Sequence, residues 1–509
     1  DTPYTRGEDS GQNQWTWQHY NATVGYDGTF GRHVVSASAG ILYNIYKTDF
    51  SQNGAAGKMV EYRHMTVNGA VNYAYDDRYV ATFSFAADGS DNYRPGNRWG
   101  FYPSLGLGWI VSRERFLRDS RMVDLLKLRA SVGKNGWDPM GEMRYLWEGY
   151  YTGRGGLNTG NSEHTWHGGT ALSYLPNPDV FAEKSLKYDA GIDLRLWNRL
   201  SLNVDLFLEK RSGIVTQDWM IPGASGVDNP PYRNIGRMTN KGFEVQLSWA
   251  DRIGDFNYAL TGMASYNSNK VDYMAEVVTV PTAARTGRRL DALFGYVADG
   301  FYDWDDFDVG GELREGLPKP TFGAVQPGDI KYKNLNGDTV IDENDQTAIG
   351  DSYLPKLQYS FSLAASYKGA AGRDVNLLDA PLQNVAFRDN GNVYGIAEGR
   401  WAYYPEQGID TRATATYPRL SLQDNSNNYR NSTLWKRSGD FLKLRNVELG
   451  YTFAQPSLSK AGISKIRIYL SGVNLLTVSR LMRDYDIDPE ILSGHPALKS
   501  YNLGLTVTF

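Results

Sequence analysis

Twelve residues, Asn334-Leu-Asn-Gly-Asp-Thr-Val-Ile-Asp-Glu-Asn-Asp345, carry a dense run of oxygen ligands. Asn334, Asn336, Asp338, the Val340 carbonyl, Asp342 and Asp345 fall at positions 1, 3, 5, 7, 9 and 12 of a calcium loop, where a hard cation such as Ca²⁺ needs oxygens converging from one turn. Position 1 is Asn, the sharp-turn position 6 is Thr339 and position 12 is a short Asp, so the run also reads as an Asx-rich loop that satisfies its own backbone. Aromatic residues form a second group: Trp147, Tyr150, Tyr151 and Trp166, then Trp219 and Tyr232, then Trp401, Tyr403 and Tyr404. Flat rings stack on the C–H faces of sugars while nearby Asp, Asn and Arg bind hydroxyls, which makes these nine candidate substrate-binding residues; packing within their own loops is the other reading. His164 and His167 have i, i+3 spacing, but no carboxylate series accompanies them, so a polar loop feature is expected. No Gly-x-Ser-x-Gly elbow, P-loop or His-Glu-x-x-His motif occurs, and no catalytic residues are assigned.

The elements that carry these groups alternate with period two. From Tyr188 to Leu196 the even positions are Tyr, Ala, Ile, Leu and Leu and the odd ones Asp, Gly, Asp and Arg. After a short turn, Leu200, Leu202, Val204, Leu206 and Leu208 share one face, and Asn203, Asp205 and Glu209 lie on the other. Runs of about nine residues exceed the five or six of sandwich strands and match lipid-out, lumen-in strands. Turns at 76–78, 197–199 and 250–255 are short, whereas 135–182, 211–236, 271–328, 372–431 and 480–499 are long. The expected fold is therefore all-β: a large antiparallel transmembrane β-barrel with about 14 strands, short periplasmic turns and long extracellular loops. Brief helical patterns are expected only near 113–126 and 384–401.

Composition agrees. In 509 residues there is no apolar run of 18 or more, so no membrane helix is expected. With 53 basic and 57 acidic residues and no basic run, nucleic acid is not an expected partner. Zero Cys removes disulfides and thiol chemistry. The chain opens at Asp1 without a leader, which suggests processing or a longer parent, and stops at Phe509 in mid-strand, as a barrel-closing strand would.

Several stretches resemble the SusC/RagA family of TonB-dependent outer-membrane transporters. They are Phe441-Leu-Lys-Leu-Arg-Asn-Val-Glu-Leu-Gly-Tyr-Thr-Phe453, Gly462 to Leu476, Tyr485-Asp-Ile-Asp-Pro-Glu490 and the terminal strand, with Phe101 to Trp109, Leu126 to Gly133, Gly328-Asp-Ile-Lys-Tyr332, Tyr417-Pro-Arg-Leu420 and Asn427 to Ser432 in the family's order. The resemblance implies that residues 1–509 are the later part of a 22-stranded, plugged barrel, without the family's plug domain or signal peptide. It also implies about one more strand between the equivalents of Gly369 and Ala370, which are adjacent here; either a strand is lost, which would upset up-and-down order, or residues are missing between them, the reading preferred because a barrel cannot drop one strand cheaply.

The function it implies is active, TonB-energised import of a large nutrient across the outer membrane of a Gram-negative bacterium. The implied partners are a SusD-like surface lipoprotein, TonB acting through an N-terminal region, and outer-membrane lipid. The aromatic loops favour an oligosaccharide over an oligopeptide. A passive channel and an outer-membrane enzyme are the alternatives. No cofactor is required, with structural Ca²⁺ as the one ion expected.

Overall fold

The computed structural model describes residues 15–49, 59–138, 145–149, 151–159, 165–172, 174–222, 229–253, 256–278, 280–363, 365–379, 386–387, 392–423, 425–453 and 462–509. Fifteen strands form one antiparallel sheet: β1 (Trp15–Phe30), β2 (His33–Asp49), β3 (Met59–Tyr75), β4 (Tyr79–Ser90), β5 (Trp99–Ile110), β6 (Val123–Trp137), β7 (Glu183–Leu196), β8 (Leu200–Gln217), β9 (Tyr232–Ile253), β10 (Phe256–Tyr273), β11 (Leu357–Ser362), β12 (Ala365–Ala371), β13 (Phe441–Phe453), β14 (Lys465–Ser479) and β15 (Ser500–Thr508). Each strand lies beside its sequence neighbours, an uninterrupted meander. Among the described residues no helix is long and apolar enough to cross a membrane, which leaves crossing to strands.

The sheet has fifteen strands where about 14 are expected, and the run 357–371 contributes two short ones, of six and seven residues, that pair antiparallel. Gly369 and Ala370 sit in one unbroken strand, opposite Tyr359 and Gln358 on β11 and Leu442 and Phe441 on β13. Up-and-down order is kept there. The helical expectations also shrink. Val111–Arg113 is a single 3₁₀ turn and β6 already begins at Val123; within 384–401 the described helix is the 3₁₀ segment Gly395–Gly399. The sequence reading passed over a short α-helix, Arg480–Tyr485, whose first turn is capped by the Ser479 hydroxyl accepting from Leu481 N–H and which buries Leu481.

The chain divides into two compact units, one made of Asp1–Ile192, Phe207–Thr239 and Asp272–Ala275, the other of Asp193–Leu206, Asn240–Val271 and Glu276–Phe509. In the first, the register sorts outward side chains into rows. Tyr20, Tyr43, Met65, Gly89 and Trp99 are consecutive partners across β1 to β5, and Phe30, His33, Tyr75, Tyr79 and Trp109 form a second row ten residues along each strand. Between them lie Val35, Ala37, Ala39 and Ile41, then Val67, Gly69, Val71 and Tyr73, then Ala81, Phe83, Phe85 and Ala87. Ten residues span about 34 Å of strand, or about 25 Å at a tilt near 40–45°, the height of a lipid-facing band between two aromatic girdles. The tight turns sit at the Phe30/Tyr75 end. Asp76 and Asp77, at φ 53° and 52°, make the paired left-handed conformations of a type I′ hairpin, as Trp197 and Asn198 do at 52° and 50°. Glu114 accepts from Tyr79 Oη (2.7 Å), Trp109 Nε1 (3.1 Å) and Arg78 (3.1 Å), tying the polar tips of this girdle to the turn.

In the second unit the same alternation appears as rungs Leu449/Leu470/Leu503, Tyr451/Ile468/Leu505 and Phe453/Ile466/Val507. Its long connections have their own core. Tyr296, Ile330, Tyr332, Ile341, Tyr417, Trp435 and Leu481 are buried together, drawn from segments up to about 190 residues apart. Beneath this core Asp329, fully buried, accepts from Asn425 Nδ2 and Asn428 Nδ2 (both 2.9 Å) and pairs with Arg419 (2.7 Å). Burial holds the Tyr332 phenol far above the usual tyrosine range, so its hydroxyl stays protonated and donates to Asn427 O at 2.6 Å.

Candidate functional site

On the polar face of the second unit, β8 to β13 enclose an open cavity of about 650 Å³. Strand alternation aims Asn203, Asp205, Glu244 and Gln246 into one side and Lys368 and Arg445 into the other, with Ser265, Gln358 and Ser360 between. Asn203 and Asp205, expected to share one face of β8, both line this cavity. Acid and base thus stand on one cavity wall that also carries Val245, Met263, Tyr359 and Tyr367, a mixed surface that can orient a solute with several hydrogen-bonding groups without burying it.

The basic side is anchored from above. Lys443, 1 % exposed, donates to Asp488 Oδ1 (2.9 Å), Asp488 Oδ2 (3.1 Å) and Glu490 Oε2 (2.8 Å). Glu490 also accepts from Arg445 (2.6 and 2.7 Å) and Lys368 (3.1 Å). Burial opposes ionisation of Asp488, but the Glu490 N–H and the Lys443 ammonium outweigh it and hold the carboxyl below its usual range. Glu490 is lowered for the same reason, burial being overcome by Lys443, Lys368 and Arg445. The motif Asp486 to Glu490 is therefore a clasp that fixes the 480–499 connection onto β12 and β13. The sequence marks these residues by resemblance alone, and their role as a clasp emerges only from the structure, which buries Lys443 against Asp488.

The aromatic candidates separate. Tyr151, Trp166, Trp219 and Tyr404 are more than half exposed. Trp147 is half-buried, its Nε1 donating to Asn92 O at 3.1 Å, and Tyr232 packs edge-on against Tyr174 at 5.9 Å. Trp401 is buried, and Tyr403 lies under the Arg412 guanidinium at 3.8 Å. Trp147, Tyr151, Trp166, Trp219 and Tyr232 belong to the first unit, and the other three described candidates to the second. Tyr150 and His164 lie outside the described residues; His167 hydrogen-bonds Thr159 at 2.8 Å.

In the acidic loop every proposed side-chain ligand already accepts hydrogen bonds. Asn334 Oδ1 takes Gly337 N–H (2.6 Å), Asn336 Oδ1 takes Asp338 N–H (3.0 Å) and Asp338 Oδ1 takes Val340 N–H (2.9 Å). Asp342 Oδ1 caps Asn344 N–H (2.8 Å), while buried Asp345 accepts from Leu335 N–H (2.7 Å) and Asp342 N–H (2.9 Å). Val340 also belongs to a two-residue parallel bridge with Lys319–Pro320. Among the described residues no group of three or more His, Asp or Glu could hold a metal.

Comparison with known proteins places the chain. The family profile "TonB dependent receptor-like, beta-barrel" matches residues 1–475. TonB-dependent receptor P3 of Formosa agariphila is 25 % identical over 95 % of this chain and 51 % of its own length. TonB-dependent receptor SusC of Bacteroides thetaiotaomicron is 27 % identical over 87 % and 43 %. A solved structure described as the RagAB peptide transporter superposes with a TM-score of 0.70 at 20 % identity, over 98 % of this chain and 56 % of that one. The chain spans about half the length of the curated relatives it matches. Members of this family are transporters and receptors of the Gram-negative outer membrane, not enzymes. The chain belongs to the TonB-dependent receptor-like β-barrel family.

Proposed function

We propose that residues 1–509 supply the wall and outer loops of an active importer that takes a large oligosaccharide across the outer membrane, energised through TonB and working with a SusD-like surface lipoprotein. TonB contact would be made by a region of the full protein outside these residues. The observation that carries the reading is the conjunction of a lipid-facing sheet with a broad polar wall bearing opposed charges: Asp205 and Glu244 on one side, Lys368 and Arg445 on the other. Exposed Tyr151, Trp166, Trp219 and Tyr404 favour glycan over peptide, because each offers a free ring face to a sugar. The opposed charges favour a second reading, a zwitterionic oligopeptide. Binding of the purified transporter with its lipoprotein to a glycan and peptide panel separates the two: saturable binding of glycans alone supports the first, and of peptides alone sinks it.

Calcium occupancy of the 334–345 loop is a further part of this proposal. Its role would be structural, stiffening a loop that already turns on Asx contacts. Chelation should then loosen 329–350 in hydrogen exchange without abolishing substrate binding.

A further inference from the structure

The apolar face of the first unit ends in a basic edge. Arg63 stands one rung beyond the aromatic row of Tyr43 and Met65, on the same outward face and opposite Ile45. Asp91 N–H donates to Arg63 O at 3.1 Å, which brings the turn after β4, and Arg98 beyond it, to the same edge. Tyr43, Arg63, Asp91, Arg98, Trp99 and Glu148 line an open cavity of about 500 Å³ there. This end carries the longer connections, so it is the extracellular end, and the cavity opens at the level where the hydrocarbon of the outer leaflet gives way to head groups.

The chemistry of the lining is mixed in a specific way. Arg63 is held through Nε by Glu61 (3.1 Å), beside which Lys47 also stands (3.6 Å), and Arg98 is held through Nε by the Tyr93 carbonyl (3.0 Å). A guanidinium fixed at Nε presents its paired terminal N–H groups, the geometry that suits phosphate oxygens. Trp99, 56 % exposed, and Tyr43 supply ring faces for a sugar or the first carbons of an acyl chain. Asp91 and Glu148 would repel a ligand that was only phosphate, but they accept from the hydroxyl and amide groups of an amino sugar. Below the site the face continues as Val67, Gly69 and Val71, where acyl chains would lie.

We propose that this cavity binds the phosphorylated amino-sugar head group of an outer-leaflet glycolipid, with Arg63 and Arg98 on phosphate and Trp99 against the sugar. The ligand belongs to the membrane rather than to the transported cargo, because Tyr43, Arg63 and Trp99 share one face of β2, β3 and β5 with the apolar band of Val67, Val71 and Phe83.

The test is native mass spectrometry of the full transporter in detergent, read on its folded, heat-modifiable fraction, with bisphosphorylated lipid A as probe. The wild type should retain the lipid. Arg63→Gln with Arg98→Gln should lower retention at least about tenfold, and Arg98→Gln alone by several-fold. Arg32→Gln, at the other end of the sheet, should leave it unchanged. Lipid A stripped of its phosphates should be retained no better than by the double variant. Equal retention by the double variant, or of the stripped lipid, would overturn the site as annular lipid only. Displacement by millimolar inorganic phosphate would reassign it to free phosphate.

Discussion

The sheet of the first unit and the loop assembly of the second achieve order by opposite means. In the sheet, each outward residue is specified by its strand neighbours two positions away and its rung partners, so Tyr43, Met65, Gly89 and Trp99 fall in one row as soon as the register is set. In the loop assembly, Ile330 and Trp435 lie about a hundred residues apart and are held by Asp329, Asn427 and Asn428, polar side chains that stand in for a ladder. The lesson is that a membrane wall is fixed by periodicity, whereas a prefolded extracellular mouth is fixed by a few buried polar groups whose loss nothing local can repair.

The largest effect should come from the clasp. Lys443→Ala leaves Asp488 and Glu490 without their buried cation, at a cost of about 3–5 kcal/mol, and should abolish hydrogen-exchange protection across 480–499 while β1 to β6 keep theirs. Unchanged protection would show that the connection is held by other contacts. Acid should mimic the variant. Asp488 and Glu490 titrate below their ordinary values, so their contribution is whole at neutral pH and is lost only as pH falls through those lowered values. Proteolysis of 480–499 at pH 3 but not pH 6 would agree.

Next is the wall. Val71→Arg, in the middle of the outward band, should cost about 2–4 kcal/mol and reduce the folded, heat-modifiable protein. Asn72→Arg, one residue on and facing the other way, should be tolerated. Equal behaviour would contradict the assignment of faces. Trp435→Phe should cost about 1–3 kcal/mol, because the Asn428 carbonyl, now accepting from Trp435 Nε1 at 2.8 Å, would be left buried and unmet. That loss should appear in the loop assembly alone. The smallest effect is expected at the acidic loop: Asp338→Ala with Asp342→Ala removes turn and cap contacts worth about 1 kcal/mol each and should abolish any calcium-dependent protection of 329–350.

Much of the wall was legible because alternation is local. The common face of Asn203 and Asp205 and the short hairpin turns could be read from side-chain period and turn residues. The strand number was less so, since two strands of only six and seven residues within 357–371 leave too few alternations to separate them from one. The site was legible in residues but not in roles. Asp329, Tyr332, Tyr417, Arg419, Asn427 and Asn428 were all singled out by resemblance, and they prove to build the loop core and its polar support. Trp401 was read as a ring for sugar and is instead buried, because nothing in its own neighbourhood indicates that Gly328, Tyr417 and Arg419 close over it. The Lys443 clasp joins positions 45 residues apart, and no period connects them.

The central claim is energised import, and the most direct measurement is uptake of a labelled oligosaccharide, one bound in the panel, by cells carrying the full-length transporter and its lipoprotein, with TonB present or deleted. The account predicts accumulation against a gradient that vanishes without TonB. Uptake at the same rate in both strains, stopping at the external concentration, would contradict it and leave a passive channel.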